Sequence, residues 1–301
     1  MSTLLSEYDT ETDQVLAVAF SPDDKLLAVA DSRNKVHLVT RSDGIYQHLL
    51  ETPGSGNLFG LQFSPDGKRL AVTKAHRFAN IWNVASGELE TQFEAHNDDV
   101  TQTIFIGPEG KWLATASADY TVKIWSTSDW KLQATLAGHE YSVRAISVTA
   151  DGNVLSSLDS RGVAKVWSLP DGTNTATFKD KFAGTCLTIS PCGNYLVGEG
   201  DRNKLLIWSV VQKKTVGFLE GYENGGISSV RFSPNGKLLA FTPIYRSEPT
   251  VRLWDFDSRK EVEKFPVGGL PVLVAFNSKG DQISWGNFES GKAPVWQLDG
   301  Q

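Results

Sequence analysis

FSPDGKRLAVTKAHRFANIW, residues 63–82, holds one copy of a pattern that runs the length of the chain. Its opening phrase recurs as FSPDD from Phe20, IGPEG from Ile106, VTADG from Val148, ISPCG from Ile189, FSPNG from Phe232 and FNSKG from Phe276, with successive starts 41 to 44 residues apart. Seventeen residues beyond the third position of the phrase stand Val39, Trp82, Trp125, Trp167 and Trp208, and the last two repeats reach Trp254 and Trp296 after 20 and 18. Two residues before that third position come Phe20, Phe63, Ile106, Val148, Ile189, Phe232 and Phe276, and five after it Leu27, Leu70, Leu113, Leu155, Leu196, Leu239 and Ile283. Apolar residues spaced by two place one face of a strand in a core, and β-branched and aromatic types suit a pleated surface.

Six of the seven phrases end in glycine, which takes the positive φ of a tight hairpin without steric cost; only Asp24 departs. Each repeat therefore reads as strand, hairpin, strand, second turn, a strand ending at tryptophan, and a fourth strand such as LETQFE. Four short strands cannot bury both faces alone, so neighbouring units must stack, and radial closure leaves the fewest exposed edges. The last repeat lacks a fourth strand, while residues Thr3 to Tyr8 precede the first repeat without a unit of their own. These two segments are expected to pair and close the ring, making residues 1–301 one all-β domain. Inner-to-third strands are expected at about 15–40, 58–83, 100–126, 143–168, 184–209, 227–255 and 271–298.

With 40% hydrophobic and 21% charged residues the composition is that of a globular protein, and the net charge of −6 gives no general attraction to nucleic acid or anionic membranes. Cys186 and Cys192 make no disulfide framework, and the first residues show neither a basic nor an apolar signal region. The expectation is an intracellular protein, in the cytoplasm or nucleus, without a membrane span.

FSPDGKRLAV with NIW, KWLATASADYTVKIW and FSPNGKLLAF with TVRLWD resemble WD repeats, and the resemblance covers essentially the whole chain. It implies a seven-bladed β-propeller of four-stranded antiparallel blades that serves as a non-catalytic scaffold or recognition subunit for other proteins or peptides. It also implies a hydrogen-bonded network in each typical blade, matched in repeat three by His96, Ser117, Asp119 and Trp125. Repeat four keeps Gly138, His139 and Trp167, but equal spacing sets Asp159 and Arg161 where the serine and aspartate belong. The other repeats lack the histidine, so packing is expected to hold them.

No catalytic, cofactor-binding or metal-binding residues are assigned. Ser117, His96 and Asp119 have the residue types of a nucleophilic triad, but such a triad is defined by geometry and exposure, and the resemblance places these groups between blades. The five histidines form no HExxH or His-x-His pattern. The resemblance puts the second turns and the links between blades on one recognition rim. Arginine recurs there as Arg33, Arg77, Arg161, Arg202 and Arg246, interleaved with Phe78, Tyr120, Tyr141, Tyr245 and Phe288. These are hot-spot residue types, and arginine forks fit carboxylates and phosphates, so an acidic or phosphorylated peptide is the expected ligand. The competing reading pairs Asp31, Asp159 and Asp201 with these arginines as local turn salt bridges. Two other functions, an enzyme with a central-channel active site and a nucleic-acid-binding propeller, are the alternatives; neither nucleic acid nor a small-molecule substrate is expected.

Overall fold

The computed structural model describes residues 2–12, 14–53, 58–74, 76–179, 182–200, 204–219, 226–244 and 249–299, with the strand alone described at 59 and 182–185. Among them, twenty-eight strands form seven four-stranded antiparallel sheets, each a blade of a propeller. Blade one runs outward from its inner strand Val15–Phe20 through Leu26–Asp31 and Lys35–Thr40 to Tyr46–Glu51. Blade seven is assembled from both ends of the chain: Thr3–Asp9 is its outer strand, antiparallel to Lys292–Gln297, with Thr3 opposite Gln297 and Asp9 opposite Lys292. The expected closure of the ring is therefore present.

The recurring phrase is a self-capping hairpin. In blade one Ser21 Oγ donates to Asp23 Oδ1 at 2.7 Å, which also accepts the Lys25 amide, while Ser21 Oγ accepts the Leu26 amide. Ser64 with Asp66, Thr149 with Asp151 and Ser233 with Asn235 repeat the arrangement. Asp24 takes the glycine position at φ 59° and has a separate task. Its carboxylate accepts Asn277 Nδ2, the Ser278 amide and Ser278 Oγ at 2.9 to 3.1 Å, tying the first blade's turn to that of the seventh. The one departure from glycine thus lies on the seam where the ring closes.

Seven apolar clusters fill the spaces between blades. Trp82 packs with Leu38 and Leu50 of blade one, Trp125 with Ile81 and Phe105, Trp167 with Ala114 and Leu136, Trp208 with Val166 and Phe178, and Trp254 with Ile207 and Leu219. Val39 takes the tryptophan position at the seam, beside Tyr8 and Val295. Around the channel the inner strands are also stitched by side chains. Gln62 Oε1 accepts the Phe105 amide at 2.5 Å, Gln102 Oε1 the Ile146 amide at 2.6 Å and Ser147 Oγ the Ile189 amide at 3.1 Å.

Polar networks connect these layers in two blades. In blade three the Trp125 indole donates to Thr115 Oγ1 at 2.9 Å, Thr115 Oγ1 lies 2.7 Å from His96 Nε2, and His96 Nδ1 lies 2.9 Å from Asp119 Oδ2. The hydroxyl between histidine and tryptophan is thus Thr115; Ser117, two residues on, accepts the Asp119 amide instead. Blade four corrects the expectation of a broken network. Trp167 donates to Ser157 Oγ at 2.8 Å, His139 Nε2 lies 2.7 Å from the same oxygen, and His139 Nδ1 lies 3.0 Å from Asp159 Oδ2. Ser157 occupies the register of Thr115, both two residues beyond the leucine that lies opposite the tryptophan, and residues 157 and 159 share a strand face. Equal spacing set two residues further along missed this. Where the same register holds Val72, Gly198 or Phe241, the buried indole N–H groups of Trp82, Trp208 and Trp254 have no side-chain or backbone acceptor among the described residues.

A neutral imidazole satisfies each chain, with Nδ1–H donating to the aspartate and Nε2 accepting from the hydroxyl. Burial pushes His96 and His139 below the ordinary 6.5, and the adjacent Asp119 and Asp159 oppose this only in part.

Three outcomes are expected. Asp24→Gly relieves a positive φ but removes three hydrogen bonds to a carboxylate, for a net loss of about 1 kcal/mol in denaturant unfolding. Thr115→Val strands both an indole and an imidazole and costs about 1–3 kcal/mol, whereas Val72→Thr supplies Trp82 with an acceptor and raises stability by up to about 1 kcal/mol. The third concerns pH. The unfolded chain protonates His96 and His139 near 6.5 while the folded chain resists, so the stability they govern is full above that pH and falls as pH drops below it. A His96→Asn, His139→Asn double variant flattens this slope between pH 8 and 5, above the range where the carboxylates titrate.

Candidate functional site: the rim of second turns and blade links

The described second turns sit at the end of the blade where the chain enters its inner strand. Backbone bonds join the two: Ser32 N to Gln14 O, Ala118 N to Asp99 O, Ser160 N to Ser142 O and Phe288 N to Leu270 O, at 2.8 to 3.2 Å. The hairpins of the recurring phrase lie at the opposite end of the same strands, on the other face of the disc.

Two turn aspartates organise this rim from beneath. Asp31 is fully buried; its Oδ1 accepts the Arg33 and Lys35 amides at 2.8 and 3.0 Å, and its Oδ2 meets His37 Nε2 at 2.8 Å. Burial alone would raise its carboxyl, but the His37 hydrogen bond and the two amides outweigh that and hold it below the ordinary range. Asp159, 1% exposed, repeats the pattern with the Arg161 and Val163 amides and His139. Both carboxylates thus bind backbone and imidazole, and neither arginine side chain is paired with them. Arg33 is exposed and makes no ion pair among the described residues; Arg161 is exposed and lies over the Tyr141 ring at 5.0 Å. For these two turns the local salt-bridge reading does not describe the geometry.

The other rim residues differ in availability. Arg77 is committed to Glu94 at 3.2 Å, and Phe78 is half-buried against His76, with ring centres 5.1 Å apart. Tyr120, Tyr141 and Phe288 are 48%, 41% and 41% exposed, and Tyr120 is projected from its turn by a φ of 72°. Arg202, Tyr245 and Arg246 lie outside the described residues, as does Asp201. Arg144, which the turn-based reading passed over, is exposed in the inner strand Val143–Val148, one residue beyond the Val143 that faces Asp159. Its signal in the sequence is a charged residue interrupting an apolar inner strand.

The spacing of a Ser-His-Asp triad does occur, at Ser157, His139 and Asp159. Ser157 is fully buried and its oxygen already accepts the Trp167 indole, so no substrate carbonyl can approach it. Among the described residues no three histidine, cysteine or carboxylate side chains gather as a metal site.

A family model described as WD domain, G-beta repeat matches residues 2–38, 87–126, 130–168 and 213–255, just over half of the chain. The chain is 29% identical over 126 residues to Periodic tryptophan protein 2 homolog of Schizosaccharomyces pombe, covering 41% of this chain and 14% of that protein. It is 29% identical over 154 residues to Periodic tryptophan protein 2 of Arabidopsis thaliana, 50% of this chain and 17% of the relative. Small ribosomal subunit protein RACK1 of Drosophila melanogaster is 28% identical over 142 residues, 46% of this chain and 38% of the relative. The matches thus span well under half the length of each of these relatives. With a family model over more than half its residues and seven four-stranded blades, the chain belongs to the WD-domain, G-beta repeat family.

Proposed function

We propose that this propeller is a non-catalytic recognition subunit of an intracellular protein assembly, and that its rim of second turns docks an acidic or phosphorylated peptide. One observation carries the reading: Asp31 and Asp159 spend their carboxylates on backbone amides and histidines, which leaves the Arg33 and Arg161 guanidinium groups without ion pairs among the described residues. An unpaired guanidinium beside an exposed aromatic ring, as at Arg161 and Tyr141, offers a planar fork for an oxyanion and a flat apolar surface for the chain that carries it. Arg202, Tyr245 and Arg246 extend the same rim on the sequence pattern. One relative is by its printed name a protein of the small ribosomal subunit, which supports membership of an assembly.

Fluorescence anisotropy with a labelled peptide bearing phosphoserine among glutamates tests the proposal. Arg33→Glu with Arg161→Glu is expected to weaken binding by about tenfold or more, with a steep dependence on salt, whereas Arg77→Glu has a smaller effect because Arg77 is already paired. Equal affinity of the parent and the double variant would remove the rim from consideration.

A further inference from the structure

The inner strands enclose a cavity of about 520 Å³ at the centre of the ring, with lining residues from all seven blades. It opens among the hairpins of the recurring phrase, where Pro65, Pro108, Pro191 and Pro234 form its mouth, on the face opposite the arginine rim. Within a protein of net charge −6 this lining carries, among the described residues, one charged side chain, Arg231, and no carboxylate. Arg231 Nη1 donates to the Val230 carbonyl at 3.1 Å, and the guanidinium makes no ion pair among the described residues.

The neutral polar groups of the lining have been sorted by the stitching between blades. Gln62 and Gln102 each spend the side-chain carbonyl oxygen on an amide of the next blade, and Ser147 Oγ likewise accepts the Ile189 amide. With one lone pair of each oxygen so engaged, these side chains still offer the NH2 groups of two amides and a hydroxyl hydrogen as donors. A lumen with one cation, surplus donors and no acid is complementary to negative charge. Burial pushes the Arg231 guanidinium down from its ordinary value, and the nearby Cys186 opposes this. A bound oxyanion would restore the lost solvation through charge-assisted hydrogen bonds.

We propose that the central channel is an oxyanion-binding site, with Arg231 as its cation and the side-chain amides of Gln62 and Gln102 as its neutral donors. The ligand class is a small polar molecule bearing a phosphate or carboxylate, since the volume is that of small-molecule pockets. Among the described residues the lining holds no histidine or carboxylate, so the site holds its ligand without supplying an acid or a base from these groups.

Calorimetric titration of the full chain with pyrophosphate and, separately, with citrate, at fixed ionic strength set with chloride, tests this. One-to-one binding of at least one probe is expected, with preference for pyrophosphate assigning a phosphate ligand and preference for citrate a carboxylate. Arg231→Gln is expected to weaken binding about ten- to hundredfold. Gln62→Glu is expected to do the same while keeping the acceptor for the Phe105 amide, so the fold is retained even if Arg231→Gln unfolds. The Arg33→Glu, Arg161→Glu variant on the opposite face retains full binding, which separates this site from the rim. Failure of both probes to bind, or undiminished binding in a folded Gln62→Glu variant, overturns the proposal.

Discussion

A blade of this protein has two apolar faces and no means of covering either by itself. Leu27, Leu70, Leu113 and their counterparts are fully buried only because the preceding blade's strands lie over them, so each unit's stability depends on its neighbours. A linear stack would leave two end blades with a bare face, and the ring removes both. Closure is therefore the constraint from which the rest follows, and the seam between blades one and seven carries its own polar reinforcement. Asp24 reaches across to Asn277 and Ser278, and Lys292 pairs with Glu7 at 2.7 Å along the strand that brings the two chain ends together.

Within that ring the tryptophans serve one purpose with unequal polar support. Each wedges its indole into the apolar space shared with the preceding blade, where area buried is the dominant gain. Two of them also find a hydroxyl acceptor, and that hydroxyl leads through a histidine to an aspartate in the turn above. Three others, Trp82, Trp208 and Trp254, fill the same space with the N–H unpaired among the described residues, because valine, glycine or phenylalanine stands at the register of the hydroxyl. Such a group costs about 1–3 kcal/mol, which a large buried aromatic surface can offset. The repeats have thus diverged at the polar layer while the apolar layer remains uniform.

The two faces of the disc follow from the same strand geometry. The second turns use aspartates as internal caps, and a cap saturated by amides and imidazole leaves the neighbouring arginines available. On the other side, the side-chain oxygens of Gln62, Gln102 and Ser147 stitch one inner strand to the next, and the same residues line the lumen with Arg231. In both places, satisfying the backbone decides which polar groups are left for a ligand.

Repeat number, strand order, the hairpin phrase and the pairing of the two chain ends were legible in the sequence, because each is dictated by a local period: two residues for a strand face, one glycine for a turn, about 43 residues for a blade. The residue types of the rim were legible as well. The participants of the polar networks were not. Thr115 and Ser157 look in the sequence like ordinary strand residues, and the reading placed the hydroxyl two residues late in both blades, since only the pairing of strands shows which hydroxyl faces the indole. The same holds for Asp31 and Asp159, whose spacing from arginine suggests a salt bridge until the turn brings two backbone amides and a histidine to them. The local alternation of side chains therefore determined the architecture from the sequence alone. The choice of partner for each polar group was decided only by the tertiary structure, because hydrogen bonds depend on directions and distances between strands and blades that no spacing along the chain records.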